Sequence, residues 1–222
     1  MINIAIDGPS GAGKSSLAKK VAKELGFIYA DTGALYRAIG LFAKRNGVAL
    51  NDRNALLKVL GSACVTIRHK DGEQRVFLLD EDVSGLIRTP EMSMYASFVS
   101  SVPEVRAKLL SIQKTLAAEN NVVMDGRDIG TVILPDADVK IFLTAAPEVR
   151  AMRRFKELTA KGMSVTFYEV LSDMTERDKN DSGREISPAV AAADAIILDN
   201  SKLDEEQTVS AALDIINKTL DA

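Results

Sequence analysis

The sequence predicts an α/β fold of three layers, in which a parallel central sheet is flanked by helices and carries a small antiparallel insert. Three observations carry that expectation. Apolar runs of strand length alternate along the chain with stretches of helical period, the pattern of a parallel sheet. The first strand runs straight into Gly8-Pro9-Ser10-Gly11-Ala12-Gly13-Lys14-Ser15, which fits G-x-x-x-x-G-K-[ST] without mismatch, and a helix follows at once. Between residues 65 and 79 two strand-like runs surround a glycine-containing turn and interrupt the alternation.

Ile2, Ile4, Ala5 and Ile6 make the first buried strand, and Leu17, Ala18, Val21, Ala22 and Leu25 give the next segment its helical face. Strand, glycine-rich turn and helix thus stand in the order that phosphate binding requires. Glycines let consecutive backbone N–H groups curl round an anion, and the helix N-terminus adds its positive dipole end. The Gly8–Ser16 stretch is therefore expected to hold a nucleoside triphosphate, with Lys14 reaching the β- and γ-phosphates and the Ser15 hydroxyl on Mg²⁺.

Phe27-Ile28-Tyr29-Ala30 reads as a second strand ending at Asp31-Thr32-Gly33, followed by a helix over roughly 34–45 that stops at Gly47. That boundary puts Arg37 in a first turn, where its charge opposes the dipole; it is either placed for an anion or is a solvated surface charge. Asn51-Asp52 caps a further helix to about Leu60. Val65–Arg68 and Arg75–Leu79 form a hairpin about Lys70-Asp71-Gly72-Glu73, and Asp82–Ile87 supplies a third short strand. Helices resume at Pro90 and at Pro103, proline suiting the first turn.

Asn121–Met124 is another buried strand, ending at Asp125-Gly126-Arg127-Asp128. Open α/β sheets bind ligands beyond the carboxyl ends of their strands, so these charges should fall near the phosphate loop. Asp125 either supports a metal through water or serves as a hydrogen-bond acceptor. Val139–Leu143 makes the next strand; Pro147 opens a helix carrying Arg150, Arg153 and Arg154 that ends at Gly162. A helix over about 167–179 runs into the charged segment 180–185, closed by Pro188. Ala195–Leu198 is the last strand, and a helix over about 205–220 follows it.

Composition narrows the classes. The 222 residues suit one domain with an insertion, and 46% of them are hydrophobic, enough for a sizeable core. A net charge of −3, from 28 basic and 31 acidic residues, gives no general attraction to nucleic acid. No apolar run approaches a membrane span, and the first residues form the phosphate loop rather than a signal peptide, so the cytoplasm is the expected compartment. A lone cysteine, Cys64, is expected to be a small core residue, and the single histidine, His69, to have no catalytic role.

The guanine-reading N-K-x-D motif of nucleotide switches is absent; Asn217-Lys218-Thr219-Leu220 lacks the acid. Instead, arginines gather just past the strand ends: Arg37, Arg127, Arg150, Arg153, Arg177 and Arg184. So many in a chain of negative net charge suggest two phosphorylated ligands, since guanidinium forks bind phosphate bidentately and stabilise a transferring phosphoryl group. The rivals are a kinase of another small metabolite, such as a different monophosphate or shikimate, and a nucleotide-dependent switch.

The chain resembles the bacterial cytidylate kinases, within the nucleoside monophosphate kinase group of P-loop proteins. The likeness covers almost the whole length. It rests on GPSGAGKSS, on Asp31-Thr32-Gly33-Ala34-Leu35-Tyr36-Arg37, on Glu81 to Thr89, on Asp125 to Val132, and on Glu176-Arg177-Asp178 with Asp181 and Arg184. The stretches DGRDIGTV and EDVSGLIRT are the more specific. The resemblance implies transfer of the terminal phosphoryl of ATP to CMP or dCMP with Mg²⁺, on a single P-loop domain over 1–222. That domain has a five-stranded parallel core, a monophosphate-binding insert at about 62–101 and a lid at about 180–187.

By the same resemblance, Ser97, Arg106 and Asp128 read the cytosine, and Arg37 and Arg127 hold the acceptor phosphate. Thr32, Arg177 and Asp181 serve the sugar, and Arg184 the phosphates. Lys14, Arg127, Arg177 and Arg184 are the expected catalytic groups. The donor site is Gly8, Pro9, Ser10, Gly11, Ala12, Gly13, Lys14, Ser15 and Ser16 with Arg153, and Ser15 is the metal ligand. Small-molecule substrates, a monomer, and no nucleic-acid or membrane partner are implied. Thr32 departs from the family, which usually has serine there; threonine keeps the hydroxyl and adds a methyl.

Overall fold

The computed structural model describes residues 1–70 and 73–221. It contains eight strands and eight α-helices among the described residues. In chain order these are β1 (Asn3–Asp7), α1 (Lys14–Leu25), β2 (Ile28–Asp31), α2 (Thr32–Arg45), α3 (Arg53–Leu60), β3 (Val65–Lys70), β4 (Glu73–Leu78) and β5 (Glu81–Asp82). There follow α4 (Pro90–Ser100), α5 (Pro103–Glu119), β6 (Val122–Asp125), β7 (Val139–Thr144), α6 (Pro147–Ala160), α7 (Phe167–Ser182), β8 (Ile196–Asp199) and α8 (Glu205–Leu220). The sheets are a five-stranded one, ordered β2-β6-β1-β7-β8, and a three-stranded one, β3-β4-β5. The expected α/β class and the antiparallel insert are both present. No helix among the described residues is long and apolar enough to cross a membrane.

The chain divides into two compact units. One comprises residues 2–27 and 121–222 and contains the phosphate loop. In it β1 pairs in parallel with β6 on one side and β7 on the other, and β7 pairs in parallel with β8. Ile4, Ala5 and Ile6 are fully buried, as are Val122, Val123 and Met124. Strands covered on both faces read as continuous apolar runs rather than as alternating ones. α1 and α8 pack together and against this sheet. A smaller cluster, Ala151, Leu158, Val170 and Met174, joins α6 to α7.

The other unit holds residues 28–120. Its core is built from α2, α4, α5 and the small sheet, with Leu35, Ile39, Leu56, Val83, Val99 and Leu109 inside. Gly40 lets α2 approach α4 closely, since a Cβ there would lie 2.7 Å from the Tyr95 Cβ. β3 and β4 pair antiparallel from Val65↔Leu78 to Lys70↔Glu73. The turn expected about Asp71 and Gly72 lies outside the described residues.

Several boundaries differ from expectation for local reasons. α2 begins at Thr32, not near 34, because the Asp31 carboxylate accepts the Ala34 N–H at 2.9 Å and caps the helix. Arg37 therefore stands in the second turn, and the dipole argument for it lapses. The third short strand covers only Glu81–Asp82. Beyond it the Ser84 hydroxyl takes the Val76 N–H at 2.9 Å in place of a ladder carbonyl. α7 continues three residues past 179 to Ser182, into the charged segment. Cys64 is exposed between the buried Ala63 and Val65, so the expectation of a core cysteine is corrected: strand alternation turns it outward.

Candidate active site

The phosphate loop has the backbone its sequence calls for. At Gly8, with φ of 144°, a Cβ would sit 1.9 Å from the Leu143 carbonyl oxygen, so no side chain fits beside β7. Gly13 caps α1 in the left-handed region, with φ of 94°. Lys14 is buried, and its Nζ donates to the Pro9 carbonyl at 2.7 Å, folding the side chain over the loop. Burial is the chief cause that pushes its pKa well below the usual lysine range. The Arg127 and Arg177 charges add to that, while Asp125 and Asp7 act against it.

Two side-chain pairs brace the loop. Arg150 is buried and donates to Ser10 O at 2.9 Å, to Ala145 O at 2.9 Å and to Asp178 Oδ2 at 2.5 Å. Asp178 Oδ1 in turn accepts the Ser10 N–H at 3.3 Å. Arg150 thus ties the loop backbone to Asp178. Arg153 donates to Asn200 Oδ1 at 3.1 Å and Asn200 O at 3.0 Å, and the Asn200 amide donates to Ala12 O at 3.0 Å. Gly13, Ser16, Arg153, Asn200 and Thr208 line a cavity of about 270 Å³ beside the loop.

Ser15 Oγ donates to Asp125 Oδ2 at 2.9 Å. One hydroxyl and one carboxylate are few ligands for a cation. They fit Mg²⁺, which keeps several waters and takes other oxygens from substrate phosphates.

Three arginines of this unit converge on one carboxylate. Asp181, buried on α7, accepts from Arg127 Nε at 3.1 Å and from Arg184 Nη2 at 2.6 Å, with Arg177 Nε at 3.9 Å. Three guanidiniums thus meet at this carboxylate. Lys14 lies within the field of two of them. Such a concentration of cations, with a lysine proton weakly held, suits an arriving polyanion.

Asp128 follows Arg127 and is buried. It precedes a π-helical turn, Ile129–Ile133, that periodicity did not reveal. The amides opening that turn are held by Asp7, which ends β1: Oδ1 accepts from Ile129 N–H at 2.8 Å and Oδ2 from Gly130 N–H at 2.7 Å. The signal for Asp7 was an acid closing an apolar strand just before the glycines.

The unit of residues 28–120 brings together the remaining candidates. Thr32 is buried at the start of α2. Arg37 donates to Asp31 Oδ2 at 2.9 Å, and its Nε is buried without a hydrogen-bond partner. Arg88, within the EDVSGLIRT stretch, reaches the same Asp31 oxygen at 3.0 Å; no site role was expected of it. Asp31 is further fixed by Gln74, whose Oε1 accepts its N–H at 2.7 Å. Arg106, on α5, sets its guanidinium 5.6 Å from the Tyr36 ring centre and donates to Ser100 O at 3.3 Å. Ser97 lies one turn away on α4, half-buried. His69, on β3, lies across from Gln74 and has its Nε2 3.1 Å from Tyr29 O.

A cytidylate kinase family model matches residues 4–218. A cytidylate kinase of Caldicellulosiruptor bescii is 49% identical over 219 residues, covering 99% of this chain and 97% of its own. One from Carboxydothermus hydrogenoformans is 47% identical over 220 residues, covering 99% of both chains. Among solved structures, a shikimate kinase from Bacteroides thetaiotaomicron shares the fold, with a TM-score of 0.51 at 13% identity over 100% of this chain and 99% of that one. With the family model spanning nearly the whole sequence and relatives close to half identical from end to end, the chain belongs to the cytidylate kinase family.

Proposed function

We propose that this kinase moves the γ-phosphoryl of ATP directly to CMP and dCMP, giving ADP with CDP or dCDP. The observation that carries the reading is the meeting of Arg127, Arg177 and Arg184 at Asp181, with Lys14 in the field of Arg127 and Arg177. The phosphoryl group passes through a loose transition state with its charge spread over three oxygens, so positioned cations do most of the work. Lys14 reaches the β- and γ-oxygens from the loop. Arg127 holds the acceptor phosphate with Arg37, while Arg177 and Arg184 neutralise the migrating group. No covalent intermediate is needed.

The amides of Gly8 to Ser16 take the donor phosphates, and the cavity at Arg153 and Asn200 takes the donor base. Ser15 would hold Mg²⁺, with Asp125 supporting through the Ser15 hydroxyl or a water; bound there, the cation would neutralise phosphate charge. Ser97, Arg106 and Asp128 read the cytosine: a carboxylate accepts from its N4 amino group and a guanidinium donates to N3 or O2. Thr32 and Asp181 serve the sugar. Residues 180–187 close as a lid and exclude water that would hydrolyse ATP. The enzyme acts as a cytoplasmic monomer.

A coupled ADP-release assay across CMP, dCMP, UMP, AMP, GMP and shikimate tests the reading. CMP and dCMP should give the highest kcat/KM. Equal use of UMP, or preference for any other acceptor, would overturn it.

A further inference from the structure

Asp7 is a buried acid that the reaction described above does not use. It closes a strand whose Ile4, Ala5 and Ile6 are wholly inaccessible, and it is 4% exposed. Burial raises its pKa to about 6, against the pull of two backbone N–H donors, Gly130 and Ile129. The charges bearing on it are Asp128, which opposes its ionisation, and Lys14, which favours it. On β7, Lys140 packs its stem against Gly130 and turns its ammonium to Pro135 O and Asp194.

The residue preceding a helix ordinarily caps it with its own side chain, and aspartate is among the best at doing so. Asp128 stands at that position before the π-helical turn and makes no capping bond. Asp7 makes both bonds instead, from the neighbouring strand. An acid at a capping position and a second acid doing the capping is a redundancy with a purpose if the first has other work.

We propose that Asp7 is a positioning residue for base choice: by capping the 129–133 turn from β1, it keeps the Asp128 carboxylate from folding back onto its own helix. This rests on the reading of Asp128 as a cytosine contact. Without the Asp7 carboxylate, an amide left without an acceptor draws Asp128 into the cap. Base discrimination then suffers more than phosphoryl transfer does.

The test measures kcat/KM for CMP and for UMP in wild type, Asp7→Asn and Asp128→Ala. Asp7→Asn should lower the CMP-to-UMP ratio by about tenfold, the scale of one hydrogen bond to a charged group; a scaffolding role would depress both substrates alike. The wild-type ratio should also fall as pH drops through about 6, where Asp7 takes up a proton, and stay flat in Asp7→Asn over the same range. The acceptor phosphates of CMP and UMP titrate alike and cancel in the ratio. If Asp128→Ala collapses the ratio while Asp7→Asn keeps it, the role of Asp7 is refuted and the reading of Asp128 stands. If Asp128→Ala leaves the ratio unchanged, both fall. Should Asp7→Asn fail to fold, a pH-independent wild-type ratio refutes the proposal by itself.

Discussion

Lys14 holds its proton weakly because it is buried and faces two guanidiniums, so a phosphate chain should relieve the crowding of like charge that the free protein carries. We predict that Lys14→Ala folds normally and loses transfer by roughly 3–4 kcal/mol in activation free energy, by analogy with deleting one preorganised donor. Near-wild-type kcat in a folded variant would exclude its role. Asp7 makes a second residue-level prediction, on stability. Its folded pKa of about 6 lies above the ordinary 3.8. Between those values the folded chain keeps a proton that the unfolded chain has released. Stability from this group is therefore gained as pH falls through 6 and lost as pH rises through it. Two units at about 1.4 kcal/mol each give about 3 kcal/mol. Denaturant titrations of wild type and Asp7→Asn should diverge in favour of wild type by up to that amount from about pH 7 to 4, where every other carboxylate is common to both. A difference running the other way would sink the assignment.

Among the elements, α7 carries more of the site than any other helix. Asp178 braces the phosphate loop, Arg177 and Asp181 belong to the cationic cluster, and the helix starts at a capping box formed by Thr166 and Glu169. Arg150 on α6 ties Asp178 to the Ser10 carbonyl. Arg150→Met would leave the Asp178 carboxylate without its cation in a largely buried place, a loss of about 3 kcal/mol. We expect a lower denaturation midpoint and a raised KM for ATP, with KM for CMP little changed; Arg150→Lys should recover part of both. A variant with unaltered ATP affinity would mean that the brace does not shape the loop.

On the scale of the molecule, the two units divide the proposed duties. Residues 2–27 and 121–222 hold the donor loop and the cationic cluster, whereas residues 28–120 hold Thr32, Arg37, Ser97 and Arg106. Substitutions should respect the division. Thr32→Val removes a buried hydroxyl, leaving its partner short of one bond at about 1–3 kcal/mol, and this should fall on KM for CMP with KM for ATP unchanged. Arg153→Ala should do the converse. Parallel loss for both substrates in either variant would contradict the division.

The strand, glycine loop and helix of the donor site, the alternation that makes a parallel sheet and the family likeness over the full length are all legible in the amino-acid order alone. These are local signals: a steric demand at Gly8 and Gly13, and a period of two or 3.6 in burial. What the charges do depends on how the chain folds. Arg150, Arg153 and Arg184 read alike in sequence, yet the first is spent on the loop backbone, the second on Asn200 and the third on Asp181. Asp7 and Gly130 lie 123 positions apart, and Asp31 and Arg88 lie 57 apart. The partner of a buried charge is set by which strand ends meet and by the need to satisfy every polar group taken from water, and neither is a property of the charged residue's neighbours in the chain.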